Sequence, residues 1–124
     1  MAKNGFRDLK VWREAKDLAV SVYQITERGK LLRDYSLRDQ IRRSAVSIAS
    51  NIAEGDERDT DKDAVRFFYI AKGSVAELLT QITIAKEIKY LEVECAARIE
   101  ETCNRVALML GSLIKARSAS AKRP

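Results

Sequence analysis

Apolar residues recur along this chain at intervals of three and four, the period of a helix buried along one side. From Phe6, the set Leu9, Trp12, Ala15, Ala19, Val22 and Tyr23 predicts an amphipathic helix ending near Gly29, which is placed as its C-cap. Trp12, the only tryptophan, stands in mid-stripe and reads as a core anchor rather than a base-stacking platform. Lys30 to Tyr35 forms a short link, after which Ser36 caps a second helix, with Asp39 completing an approximate capping box. Leu37, Ile41, Ala45, Ile48 and Ile52 form its stripe, and Gly55 stops it. A third helix runs from about Asp61 to Ile88 behind a Thr60 cap, with Ala64, Phe68, Ala71, Val75, Leu78, Ile82 and Ala85 as a bundle seam. Ile70, Ile84 and Ile88 lie on its opposite side, and Gly73 is expected to permit close helix packing. A fourth runs from about Glu92 to Lys115, with Ile99, Cys103, Val106, Leu110 and Leu113 inward. Four long helices with short links predict an all-α, antiparallel up-down-up-down four-helix bundle. Residues 1–124 make one domain, ordered over about 6–115, with 1–5 and 116–124 as flexible tails.

The second helix departs from this pattern in its outer face. Ser44 to Ala53 are ten consecutive residues without charge. Gln40, Ser44, Ser47 and Asn51 form a polar stripe beside the apolar one, and Val46, Ala49 and Ala53 fill a second apolar arc. A surface helix normally turns charge to water, so one without it is covered on most sides. Ser44, Ser47, Ala49, Ser50 and Ala53 are therefore expected in a subunit interface, which makes the protein a homo-oligomer.

Composition supports the helical reading and narrows the chemistry. One Pro and five Gly in 124 residues leave little to interrupt helices. The net charge of +5 suggests nucleic acid, and Arg38, Arg42 and Arg43 load the start of the second helix with positive charge. They are candidates to grip phosphate, or else to pair with acidic neighbours. No histidine is present, which removes the commonest general base and metal ligand and the Glu-x-x-His motif of di-iron bundles. Asp59, Asp61 and Asp63 imitate the start of a calcium loop, but Ala64 and Ile70 stand where such a loop needs Gly and Glu. Lys72-Gly73-Ser74 resembles the tail of a phosphate loop, yet Phe68 occupies the position of its first glycine. No catalytic residue, metal, cofactor or small-molecule substrate is expected. A magnesium-dependent nuclease using Glu54, Asp56 or Glu57 is the minor alternative, since loop carboxylates beside a helix start are more often solvated caps. Cys95 and Cys103 lie roughly 12 Å apart along one helix, too far for a disulfide, and read as small buried hydrophobes in a reducing cytoplasm. No secretory signal or membrane-spanning run is read in the sequence, and a cytoplasmic location is expected.

An ordered set of residues adds a resemblance. Phe6, Leu9, Trp12, Ala15 and Tyr23 are followed by Leu37, Gln40, Arg42-Arg43, Ala45-Val46-Ser47-Ile48 and Asn51-Ile52-Ala53-Glu54-Gly55, then by Arg58, Ala71, Gly73-Ser74, Glu77 and Tyr90. From about Phe6 to Leu113 the chain resembles the four-helix bundle proteins, also called 23S rRNA intervening-sequence proteins. The resemblance implies a small bacterial cytosolic protein, a four-helix protomer closing into a ring of five, and a role with RNA or a reverse transcriptase. Some members are encoded within large-subunit rRNA genes, and others are similar to the accessory subunit of diversity-generating retroelements. It implies no catalytic residues. Two departures fall in the connections: the first loop, RGKLLRDYSL, lacks the Phe-Pro pair and Tyr-Gly-Leu of many members, and Lys89 stands where Gly is usual.

Overall fold

A computed structural model describes residues 5–121. A 3-10 turn, Gly5–Asp8, leads into α1 (Lys10–Ile25), a one-turn α2 (Gly29–Arg33), α3 (Tyr35–Asp56), α4 (Asp61–Glu87) and α5 (Val93–Ala121). Among the described residues there is no strand, and none of the helices is long and apolar enough to cross a membrane. The protein is an all-helical bundle of four long helices and one short one. The helices pack in a closed cycle, α1 on α3, α3 on α4, α4 on α5 and α5 on α1. Ser47 meets Ser74 and Gly55 meets Phe68; Lys86 meets Glu100 and Asp61 meets Arg117. Numbering thus rises along one helix and falls along the neighbour.

The α3 and α4 seams read from the sequence form the core; in α1 the buried face is Val11, Ala15, Leu18 and Val22, turned away from the expected Tyr23, and in α5 Ile114 rather than Leu113 is buried. Ile41, Ala45, Ile48 and Ile52 of α3 are fully buried against Phe68, Ala71, Leu78, Ile82 and Ala85 of α4. Ala15, Leu18 and Val22 of α1 and Cys103, Val106 and Leu110 of α5 close the other side. Trp12 is only half-buried, at the edge of this cluster, where Phe6 meets it edge-on at a centroid distance of 5.0 Å.

The helix ends differ from the sequence expectations for local reasons. Thr26, not Gly29, closes α1, and its buried hydroxyl donates back to the Val22 carbonyl at 2.8 Å. Gly29, at φ +67°, instead opens α2, which exists because Leu31 is pulled into the core. Asp34, not Ser36, caps α3, its carboxylate accepting from the Leu37 amide at 3.1 Å. Thr60 caps α4 as expected, accepting from the Asp63 amide. At the far end, α5 continues past Lys115 to Ala121, and Arg117 is anchored to Asp56 at 2.6 Å and Asp61 at 3.3 Å. Residues 1–4 of the expected leader and 122–124 of the expected tail lie outside the described residues.

The two helical glycines exchange the roles assigned to them. Gly55 does not stop α3 but sits buried in its last turn, where α4 comes closest. A Cβ there would stand 2.7 Å from the Phe68 ring, 3.0 Å from the Ala64 carbonyl oxygen and 3.0 Å from Phe67 Cβ. Gly73 faces outward, and a methyl group at that position would have nothing within 4 Å. We therefore expect Gly55→Ala to lose about 1–3 kcal/mol by overpacking, whereas Gly73→Ala gains up to about 1 kcal/mol of helix propensity. Urea unfolding of both variants is the measurement, and equal effects would reject the assignment.

Candidate interaction surfaces

The three arginines at the start of α3 have different fates. Arg42 turns inward, its Nε donating to Thr26 Oγ1 at 2.7 Å while its guanidinium covers the Tyr23 ring at 4.5 Å. It ties α3 to the end of α1. Arg38 pairs with Asp39 at 3.0 Å, donates to the Leu32 carbonyl at 3.1 Å and lies over the Tyr35 ring at 4.8 Å. Arg43 alone of the three is exposed, without a hydrogen-bond or charge partner among the described residues. The phosphate-gripping triad expected from sequence is therefore not assembled: two members are engaged within the protomer.

Other exposed cations flank the first and third links. The first and third links of the bundle lie at one end, with Arg28 and Arg33 flanking α2, Lys89 in the α4–α5 turn and Arg98 in the first turns of α5. Arg28, Arg33 and Arg98 are exposed and, like Arg43, lack a charge or side-chain hydrogen-bond partner among the described residues. Sequence reasoning missed them because they are scattered along the chain. Their closeness to the predicted links was the available signal.

The opposite end is charge-compensated. Arg117 bridges Asp56 and Asp61, and Arg58 and Arg66 both reach Asp63, at 3.7 and 3.2 Å. The acidic DERDTDKD run is thus largely occupied by arginine. Among the described residues no cluster of three or more His, Cys, Asp or Glu side chains is arranged to hold a metal ion.

The α4–α5 turn has an unusual residue in its left-handed position. Tyr90 N donates to the Ala85 carbonyl at 2.8 Å and Lys89 N to the Lys86 carbonyl at 3.0 Å, which is a Schellman closure. The left-handed position of that closure is Lys89, at φ +65°. It delivers Tyr90 to the basic end, with Lys30 Nζ 6.0 Å from the ring centroid.

The uncharged stretch of α3 divides between two surroundings. Ser44 is buried inside the protomer, and Ser47 is half-buried against α4 with its hydroxyl 2.9 Å from that of Ser74. Asn51 donates to the Ser47 carbonyl at 2.8 Å and to its hydroxyl at 3.0 Å. Ser47 thus joins α3 to α4, with Asn51 bonded to it from within α3, and Ser44 is buried within the chain and not open to another subunit. Ala49, Ser50 and Ala53, with Val46, instead line an open groove of about 640 Å³ between α3 and α1. Trp12, Ala19, Val20 and Tyr23 form its other wall and Phe6 its end.

Cys103 is not arranged for nucleophilic chemistry. Burial, with the Glu100 carboxylate adding to it, pushes the Cys103 thiol up to about 12, so it stays protonated at neutral pH.

The family model described as 23S rRNA-intervening sequence protein matches residues 7–112. A solved structure of a protein with unknown function from the S23 ribosomal protein family of Bacteroides thetaiotaomicron superposes with a TM-score of 0.78. The two chains are 22% identical, and the match covers 85% of this chain and 98% of that one. At that identity the likeness shows the fold. No curated protein matches the chain.

The geometry makes Arg42 a structural residue. Arg42→Gln should lose about 1.5–3 kcal/mol, the usual worth of a charged hydrogen bond, while leaving affinity for polyanions unchanged. Thermal melts and heparin retention measure the two. A variant of wild-type stability with weakened retention would return Arg42 to the binding surface.

Proposed function

The chain belongs to the 23S rRNA-intervening sequence protein family, and from that premise we propose that it is a non-enzymatic, oligomeric helical bundle that binds structured RNA through its basic end. The observation that carries this is the uneven use of arginine. At one end the guanidinium groups are satisfied by Asp56, Asp61 and Asp63, whereas Arg28, Arg33 and Arg98 at the other, and Arg43 further along α3, are exposed without an ion-pair partner among the described residues. Unpaired, clustered cations attract polyanions and supply sequence-independent affinity.

The oligomeric part of the proposal rests on the groove. Val46, Ala49, Ser50 and Ala53 are short or apolar, and Trp12, Val20 and Tyr23 face them across it. Such a surface suits a second copy of the chain, and a closed ring would repeat the basic end around its axis and raise avidity. A protein-only scaffold is the rival reading, favoured by the same groove.

Two measurements test the proposal. Binding to an RNA hairpin should weaken steeply with salt, and Arg43→Gln should reduce the log–log slope by about 0.7–0.9, one phosphate contact. Retention that ignores salt, or an absence of RNA binding, would leave the protein-only scaffold. Light scattering should find an oligomer that Ala49→Glu disrupts, because the change places a carboxylate in the groove where it would be buried unpaired. A monomeric wild type removes the oligomeric part and leaves the RNA part standing.

A further inference from the structure

The basic end carries more than charge. Three depressions of about 520, 560 and 430 Å³ lie there, and they share lining residues. Tyr90 belongs to the first and second, while Ile25, Arg28, Cys95 and Arg98 belong to the second and third. They are thus one continuous track, running from α2 past Tyr90 into the cleft between α1 and α5. Lys30 and Arg33 line its first part with Asp34, whose carboxylate is taken by the Leu37 amide, and Arg28 and Arg98 line its remainder with Glu92.

Two tyrosines stand at the start of this track. Tyr35 is 68% exposed and lines the first depression with Tyr90. It contributes nothing to the core, but it is braced: the Arg38 guanidinium covers it at 4.8 Å and is itself held by Asp39 and the Leu32 carbonyl. Tyr90 is half-buried, with Lys30 above it. One exposed aromatic ring is ordinary on any surface. Two rings in one depression, each beside a cation and continuous with three arginines that lack acidic partners, match a different demand. Phosphate binding alone needs no ring, and a ring can stack only on a base that has left its duplex.

We propose that this track binds single-stranded nucleic acid, with unpaired bases stacked on Tyr35 and Tyr90 and phosphates held by Arg28, Lys30, Arg33 and Arg98. The proposal rests on the reading that the basic end takes nucleic acid, and narrows it to unpaired segments. Stacking on a tyrosine tolerates any base, so the track selects strandedness rather than sequence. RNA and DNA single strands share the required chemistry and differ in the 2′-hydroxyl.

The test is fluorescence anisotropy of the full chain with labelled oligouridine of about twelve nucleotides, oligothymidine of equal length and an RNA duplex. Oligouridine should bind more tightly than the duplex at the same salt. Tyr35→Ala and Tyr90→Ala should each weaken it about fivefold or more without altering the salt slope, and Tyr35→Phe and Tyr90→Phe should restore it. Arg33→Gln should instead reduce the slope by about 0.7. Circular dichroism confirms that each variant is folded, and the phenylalanine pair keeps the test decisive if Tyr90→Ala is not. Equal binding of the two single strands supports a track that reads only bases and phosphates, and preference for oligouridine supports RNA as its source. If the duplex binds as tightly and Tyr35→Ala is silent, stacking is overturned while the nucleic-acid reading survives. If no probe binds, both fall together.

Discussion

The close approach of α3 to α4 at Gly55 is the constraint on which the rest of the bundle depends. With no side chain on Gly55, the Phe68 ring and the Ala64 carbonyl come nearer to α3 than any Cβ would allow. That contact fixes one end of the helix pair, and the Ser47–Ser74–Asn51 network fixes its middle with hydrogen bonds rather than methyl groups. Hydrogen bonds are directional, so the network also sets the rotation of α3 about its axis. Given that rotation, Ile41, Ala45, Ile48 and Ile52 must point inward, and Val46, Ala49 and Ala53 must be left lining the groove toward α1.

The same geometry separates the arginines into two kinds. Those near the α3–α4 turn find Asp56, Asp61 and Asp63 within reach, so charge there holds helices together. At the other end the capping carboxylate of Asp34 is occupied by the Leu37 amide. Asp39 serves Arg38, while Arg28, Arg33 and Arg98 make no ion pair among the described residues although Glu27, Glu87, Glu92 and Glu94 are exposed at the same end. The two ends of the bundle thus differ in pairing: arginines are bridged to aspartates at one, and several stand without a charge partner among the described residues at the other.

Much of this was legible in the sequence, and what was not has a common cause. The three-and-four spacing located the buried faces of α3 and α4, because burial follows directly from helical period. In α1 it set the face off by about one residue, Val11 and Leu18 being buried where Trp12 and Ala19 were expected. The block from Ser44 to Ala53 also announced a helix with more than one covered side. It could not say that the Ser44 and Ser47 side belongs to α4 and the Ala49 and Ala53 side to an open groove. Likewise, spacing cannot tell that Arg42 will meet a threonine sixteen residues earlier in the chain. Gly55 and Gly73 look alike in a helical pattern, and only the crossing of two helices decides which one is needed. Short-range signals failed where the side chain of a distant residue was the deciding neighbour. The Asp34 cap is the exception, a local choice between two good capping residues two positions apart.

The left-handed Lys89 has a consequence for how much stability this protein holds in reserve. A residue with a Cβ in that conformation costs roughly 1–2 kcal/mol relative to glycine, against a whole folding margin of about 5–15 kcal/mol for a domain. Lysine at this turn therefore lowers the ratio of folded to unfolded molecules by roughly fivefold or more. A chain that tolerates this at a turn any glycine would relax keeps a correspondingly smaller allowance for change elsewhere. Its core positions, Leu78 and Phe68 first among them, are left with less freedom to vary than the same positions in a chain with glycine at 89.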